Sequence, residues 1–278
     1  MNELNELKNL QSVEMPYEFL QPWSTFVMKT KIPPQYIEIL IKITDEILEK
    51  NKLSERFGHK LAGEIDDEFL ISPEHFNQYF YILAFIDQAC SWYYSNQLAQ
   101  GSPDIKEQYM NQEWVSSIDY MWVVSQKDNE YNPIHEHEMP GSMGLSAVIW
   151  LKIPEYLPSR KKHNPDAGAI TFIGNAQYKQ RPPMCTNTLT LHPQVGDFCI
   201  FPSQLQHTVY PFKTKDGKGE RRSVSLNLGL DTMENYQKVM KQQNDIKGGI
   251  VSGKEETIKK VEKDTNPWLN LGILPKYG

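Results

Sequence analysis

A mainly β protein with flanking helices is what this sequence predicts, and three observations predict it. Short runs rich in β-branched and aromatic residues, parted by proline- and glycine-bearing turns, fill positions 105–232. Apolar residues at helical spacing dominate the first hundred positions instead. The length of 278 residues and the 39% hydrophobic content suffice for a substantial core. The chain is therefore expected to divide into a helical support region (1–104), a β core (105–232), and a C-terminal helix and tail (233–278) packed on or near that core, all in one folded unit.

The first helix follows Pro33-Pro34, since proline near a helix start removes an amide that lacks a partner anyway. It runs from Tyr36 to Lys50, with Ile37, Leu40, Ile41, Ile47 and Leu48 at helical spacings. A second helix is expected from Pro73 to Ala99, capped by Ser72 with Glu74 in its first turn and stopped by Gly101-Ser102-Pro103. Expected strands are Ser117–Val124, Leu145–Lys152, Ala169–Ile173, Thr188–Leu191, Phe198–Phe201, Val209–Phe212 and Arg222–Gly229. So many short strands at this spacing point to a β-sandwich or barrel. Lys213–Glu220 reads as a solvated hairpin loop with Asp216-Gly217 at its tip. A short helix, Glu234–Gln243, precedes a charged tail in which Trp268 and Leu269 are the docking candidates.

A formal charge of −6 argues against nucleic-acid binding through bulk charge. No apolar run approaches the roughly 18–20 residues that span a bilayer, and Met1–Glu6 does not begin a signal peptide. Cys90, Cys185 and Cys199 are odd in number and widely spaced. They form no CxxC pair, so the expected location is cytoplasmic, intracellular and reducing.

The chemistry-bearing residues are histidines. His135 and His137 stand one residue apart in Asn132-Pro133-Ile134-His135-Glu136-His137, and His207 follows in Phe201-Pro202-Ser203-Gln204-Leu205-Gln206-His207. Alternate residues of a strand share a face, so the pair can aim at one ion while a distant strand supplies the third ligand. Open positions for chemistry then remain. Three histidines suit catalytic zinc, and a facial set suits redox-active iron, so the ligand types leave the metal open. Glu136 and Glu138 should point away from the histidines on a regular strand. Either could replace His137 as third ligand if the chain bends at Met139-Pro140-Gly141; otherwise they are solvated or orient an imidazole. His59, His75, His163 and His192 read as structural or exposed.

These pieces resemble the iron(II)/2-oxoglutarate-dependent oxygenase superfamily. The matching segments are Trp122, Asn132–His137, Leu145–Leu151, Gly168–Phe172, Gly196–Ser203 with His207, and Arg221-x-Ser223 leading to Asn227. They cover roughly residues 110–230, and the chain departs from the usual pattern in placing His137 where most members carry a carboxylate. The resemblance implies a double-stranded β-helix, or jelly-roll, core buttressed by the N-terminal helices. It implies Fe(2+) held by His135, His137 and His207, with O2 and the cosubstrate 2-oxoglutarate. The far carboxylate of that cosubstrate would be held by Arg221 and Ser223. The implied reaction is hydroxylation of an unidentified prime substrate, with succinate and CO2 as coproducts. A protein residue, a nucleotide and a small metabolite all fit as that substrate. A cupin-like three-histidine metalloenzyme that does not use 2-oxoglutarate, or a non-catalytic jelly-roll binding or structural protein, are the rival readings.

A guanidinium is a planar fork matched to a carboxylate. On one strand Arg221, Ser223, Ser225 and Asn227 share a face and Arg222, Val224, Leu226 and Leu228 the other, so a slip of one residue would make Arg222 the clamp instead. Trp122 reads as core or as ligand contact. Asn132 either bonds cosubstrate or substrate, or makes the Asn-Pro turn. Loops 155–167, with its basic Arg160-Lys161-Lys162, and 174–188 are the expected specificity elements.

Overall fold

The computed structural model describes residues 25–50, 57–58, 61–99, 107, 112–137, 143–158, 166–174, 188–238 and 241. Most of both expected specificity loops, Cys185, His59, His163, Glu138 and the tail beyond 241 lie outside these residues. In chain order the elements are β1 (Met28–Lys31), α1 (Pro34–Lys50), β2 (Asp67–Leu70), a 3-10 turn (Pro73–Phe76), α2 (Phe80–Ala99), β3 (Trp114–Lys127), β4 (Asn132–His135), β5 (Met143–Lys152), β6 (Ile170–Ile173), β7 (Thr188–Leu191), β8 (Asp197–Pro202), β9 (His207–Val209) and β10 (Glu220–Thr232).

Two antiparallel sheets form the core, a six-stranded one in the order β1-β8-β5-β10-β3-β2 and a four-stranded one in the order β4-β9-β6-β7. From β3 onward the chain passes back and forth between the sheets, which makes this a jelly-roll. Each strand of the larger sheet has two apolar faces with different partners. Met121, Val123, Ala147, Ile149, Phe198, Ile200, Val224 and Leu226 pack with Leu40, Ile43 and Ile47 of α1 and Ile82, Leu83, Ile86 and Ala89 of α2. The opposite face meets the smaller sheet through Trp150, Cys199 and Phe201 against Ile170, Phe172 and Val209. The helices thus cover one side of the large sheet and leave the other to line the space between sheets. Among the described residues no helix is long and apolar enough to cross a membrane.

The first hundred residues are less uniformly helical than their spacing predicts. β1 joins the edge of the large sheet on β8, and β2 joins the other edge on β3. At four residues each, both are too short for periodicity to reveal. The long second helix is broken. Ser72 does cap a turn, its Oγ accepting from the Glu74 amide at 3.4 Å, but that turn is 3-10. Amides of Asn77, Tyr79 and Ile82 then bond three residues back, so α2 starts only at Phe80. Asparagine at the break is a poor helix-interior residue because its side chain competes for nearby backbone groups. The expected Val209–Phe212 strand instead ends at Val209, two residues before Pro211. Residues 213–219 are no hairpin, since they lead from β9 in one sheet to β10 in the other. Thr214 anchors this crossing, its amide and hydroxyl donating to Asp128 at 2.7 and 2.9 Å. Gly217 has φ +69°, which only glycine adopts freely. Residues 233–238 are helical, the described start of the expected C-terminal helix.

Candidate metal centre

The strands β4 and β9 pair antiparallel with His135 directly opposite His207. Strand β4 ends at His135, yet the chain stays aligned, because the His137 amide donates to the Ser203 carbonyl at 2.8 Å. All three rings meet as a result. Their centroids lie 4.2 Å apart for His135 and His207 and 5.3 Å apart for each pair with His137. One nitrogen from each ring falls within 4.8 Å of the others. Glu136 is exposed and is outside this cluster.

Two of the rings have a fixed tautomer. His135 Nδ1 lies 2.8 Å from the Pro133 carbonyl and His207 Nδ1 2.8 Å from the Leu205 carbonyl. A carbonyl only accepts, so both Nδ1 atoms carry the proton and both Nε2 atoms keep a free lone pair. Burial holds the His207 ring well down, to about 3, and His135 adds to this. Burial and His135 likewise lower His137 to about 4, against a hydrogen bond with the Asn227 side chain. His135 is lowered by burial too. At neutral pH the cluster is three neutral imidazoles, the form that ligates metal. The donor set fits a divalent ion of the iron or zinc type.

Beside the cluster opens a cavity of about 450 Å³. Strand β10 lines it with Arg221, Ser223, Ser225 and Asn227. Arg222 points the other way, bonding Asp45 of α1 at 2.5 Å and Glu220 at 2.7 Å. The register is pinned by flanking pairs, Arg221 opposite Gln126 and Ser223 opposite Val124. Arg221 is 3% exposed and has no carboxylate partner among the described residues. Its Nη1 donates to Gln126 Oε1 at 3.2 Å, its Cζ lies 5.7 Å from the Trp150 ring centre, and its Nε has no partner. Burial lowers the guanidinium to about 10, with the nearby Tyr156 acting the other way, so it stays cationic at neutral pH. An unpaired buried cation facing a cavity is costly unless an anion enters.

The remaining expected residues also border the cavity. Trp122 is both core and wall, 4% exposed and stacked on His137 at 6.1 Å. Asn132 faces inward with a buried Oδ1 that has no partner. His75 bonds the Ser72 carbonyl, and His192 is exposed near Asp166. Sequence reasoning missed Glu68, Phe57, Gln126 and Trp150, which border the same space or the arginine. The signal for Glu68 was its alternation with Phe69, readable only once β2 is known to be a strand.

Residues 120–227 match the model of a family described as "Putative 2OG-Fe(II) oxygenase". No curated protein matches the chain. Among solved structures, a 2OG-Fe(II) oxygenase family oxidoreductase from Burkholderia pseudomallei is 15% identical, with a TM-score of 0.29. The match covers 41% of this chain and 43% of that one, so the chain spans less than half of that protein's length. A Pseudomonas putida prolyl-4-hydroxylase is 13% identical over 73% of this chain and 91% of that one, with a TM-score of 0.44. A Trichoplax adhaerens prolyl hydroxylase, solved with a hypoxia inducible factor peptide fragment, is 8% identical over 74% of this chain and 83% of that one, with a TM-score of 0.47.

Proposed function

We propose, from the match of residues 120–227 to the 2OG-Fe(II) oxygenase model, that this chain is such an oxygenase and hydroxylates a prime substrate at the expense of 2-oxoglutarate and oxygen, giving succinate and CO2. The observation that carries the reading is the pairing of a three-imidazole cluster with a buried guanidinium that has no carboxylate partner among the described residues, on one cavity. His135, His137 and His207 would hold iron, which supplies the redox chemistry that splits oxygen between the cosubstrate and a C–H bond.

The rest is work for the chain's own side chains. Carbonyls of Pro133 and Leu205 keep the His135 and His207 rings oriented with Nε2 free. Arg221 binds the far carboxylate of 2-oxoglutarate, desolvated enough to prefer an anion over water. Ser223, two residues along the same face, offers its hydroxyl to that carboxylate. Phe201, its ring centre 4.9 Å from that of His207, gives the reacting end an apolar wall, and Trp150 does the same beside Arg221. Asn132, which lines the cavity with an unpartnered buried Oδ1, serves substrate rather than cosubstrate.

Anaerobic titration of the iron-loaded chain with 2-oxoglutarate tests the proposal. A weak visible charge-transfer band is expected, and Arg221→Gln should raise the concentration needed by about 100-fold, in keeping with loss of a charge-assisted fork. Bound iron with no band and no measurable 2-oxoglutarate binding would overturn it.

A further inference from the structure

The cavity is electrically lopsided. At the Arg221 end the orphaned polar atoms donate, namely Arg221 Nε and Trp150 Nε1. At the other end they accept, namely Glu68 Oε2 and Asn132 Oδ1. Glu68 is 1% exposed and reaches into the cavity from β2 at the edge of the large sheet. Its neighbour across the strands is Val124, whose own neighbour is Ser223, so it stands two strands, about 10 Å, from the β10 row.

Two glycines let the chain pack close beside these oxygens. A Cβ on Gly63 would collide with Asn132 Oδ1 and lie 3.6 Å from Glu68 Oε2, and one on Gly58 would lie 3.2 Å from Glu68 Oε2. Three aromatic rings close the same region, Phe57 lying 5.8 Å from Tyr120 and 6.0 Å from Trp122. All three border the cavity. Buried acceptors without donors are costly and rare, and persist where a ligand supplies the missing partner. Two acceptors ask for a donor. A carboxyl group set among aromatic faces asks for a cationic one, since ring faces attract positive charge.

We propose that the Glu68–Asn132 end of the cavity is the recognition site for an alkylammonium group of the prime substrate, which donates to Glu68 Oε2 and Asn132 Oδ1 and lies against Phe57, Tyr120 and Trp122. The word substrate rests on the oxygenase reading; the cation site is a property of the cavity itself. Burial, with Glu130 adding to it, raises the Glu68 carboxyl to about 8. In the empty cavity it is therefore mostly neutral, and an arriving ammonium ionises it, the proton leaving to solvent. Once the ammonium has ionised Glu68 the two ends carry opposite charge, so 2-oxoglutarate stays at the Arg221 end and the ammonium at the Glu68 end.

Calorimetric titration of the full chain with butylammonium and with isosteric 1-butanol tests this, run with and without manganese and 2-oxoglutarate. The ammonium should bind at least about tenfold more tightly than the alcohol in both states. Glu68→Gln should abolish the preference. Gly63→Ala, whose methyl group would displace the Asn132 side chain, should do the same and decides the matter if the first variant does not fold. Equal affinities, no measurable ammonium binding, or a preference that survives both variants overturns the proposal. If ammonium is preferred but 2-oxoglutarate does not bind, the oxygenase reading falls and the cation site stands. If 2-oxoglutarate binds and ammonium is not preferred, the cation site alone falls.

Discussion

His207 has its Nδ1 committed to the Leu205 carbonyl, so only Nε2 can serve a metal. His207→Ala should leave the far-ultraviolet spectrum unchanged and drop bound iron below stoichiometry by metal analysis of the purified protein. The two adjacent arginines should separate cleanly. Arg222 links Thr44, Asp45 and Glu220 on the helix side, so Arg222→Gln should cost about 2–4 kcal/mol in urea unfolding while sparing 2-oxoglutarate binding. Arg221→Gln should do the reverse. Glu68 makes stability depend on pH. Its folded value of about 8 lies above the ordinary 4.5, so the folded state holds a proton that the unfolded chain has lost across that window. Stability should fall as pH rises from about 4.5 to about 8, with the full penalty beyond. Glu68→Gln removes it and should gain roughly 2–4 kcal/mol on the wild type near pH 9 and little near pH 5.

Strand β1 is held to β8 by more than its ladder. Asp197 is fully buried and receives Lys31 at 2.6 Å, Lys29 at 2.9 Å and the Gln194 amide at 2.9 Å. Burial pushes its carboxyl up, but these donors outweigh burial and hold it below the usual range. Asp197→Asn should speed hydrogen exchange of the Met28–Lys31 amides well before it affects β10. This strand also marks the limit of what the sequence makes legible. The long strands β3, β5 and β10 announce themselves because apolar residues must alternate toward the helix layer over many positions. Four-residue strands such as β1 and β2 bury too few side chains to leave a pattern, and their pairing is decided by edges formed elsewhere in the chain. The histidine cluster was legible because few residue types can ligate a metal, and three of them at this spacing stand out in the sequence. Glu68 was not, because one acid among Asp66, Asp67 and Glu68 looks like a solvated run until its strand is known.

The two sheets divide the labour of the site. His135 and His207 come from β4 and β9 of the smaller sheet, and His137 lies two residues beyond β4; Arg221 and Ser223 come from the larger one. A cosubstrate bound to both would tie the sheets together. Manganese and 2-oxoglutarate added together should therefore raise the melting temperature by more than the sum of their separate effects, as linked binding requires. An additive result would mean that the two bind independently. The helix layer is remote from this coupling. Ile86→Ala, at a fully buried α2 position, should cost about 2–5 kcal/mol while leaving metal content unchanged.

The guanidinium of Arg221, buried without a carboxylate among the described residues, also bears on selection. A fold optimised for endurance alone would not bury a positive charge without a counter-ion. Arg221→Met, apolar and of similar length, should melt at a higher temperature than the parent and bind no 2-oxoglutarate. Mutants gathered by screening for heat resistance should therefore accumulate at position 221, and the most durable of them should be catalytically silent.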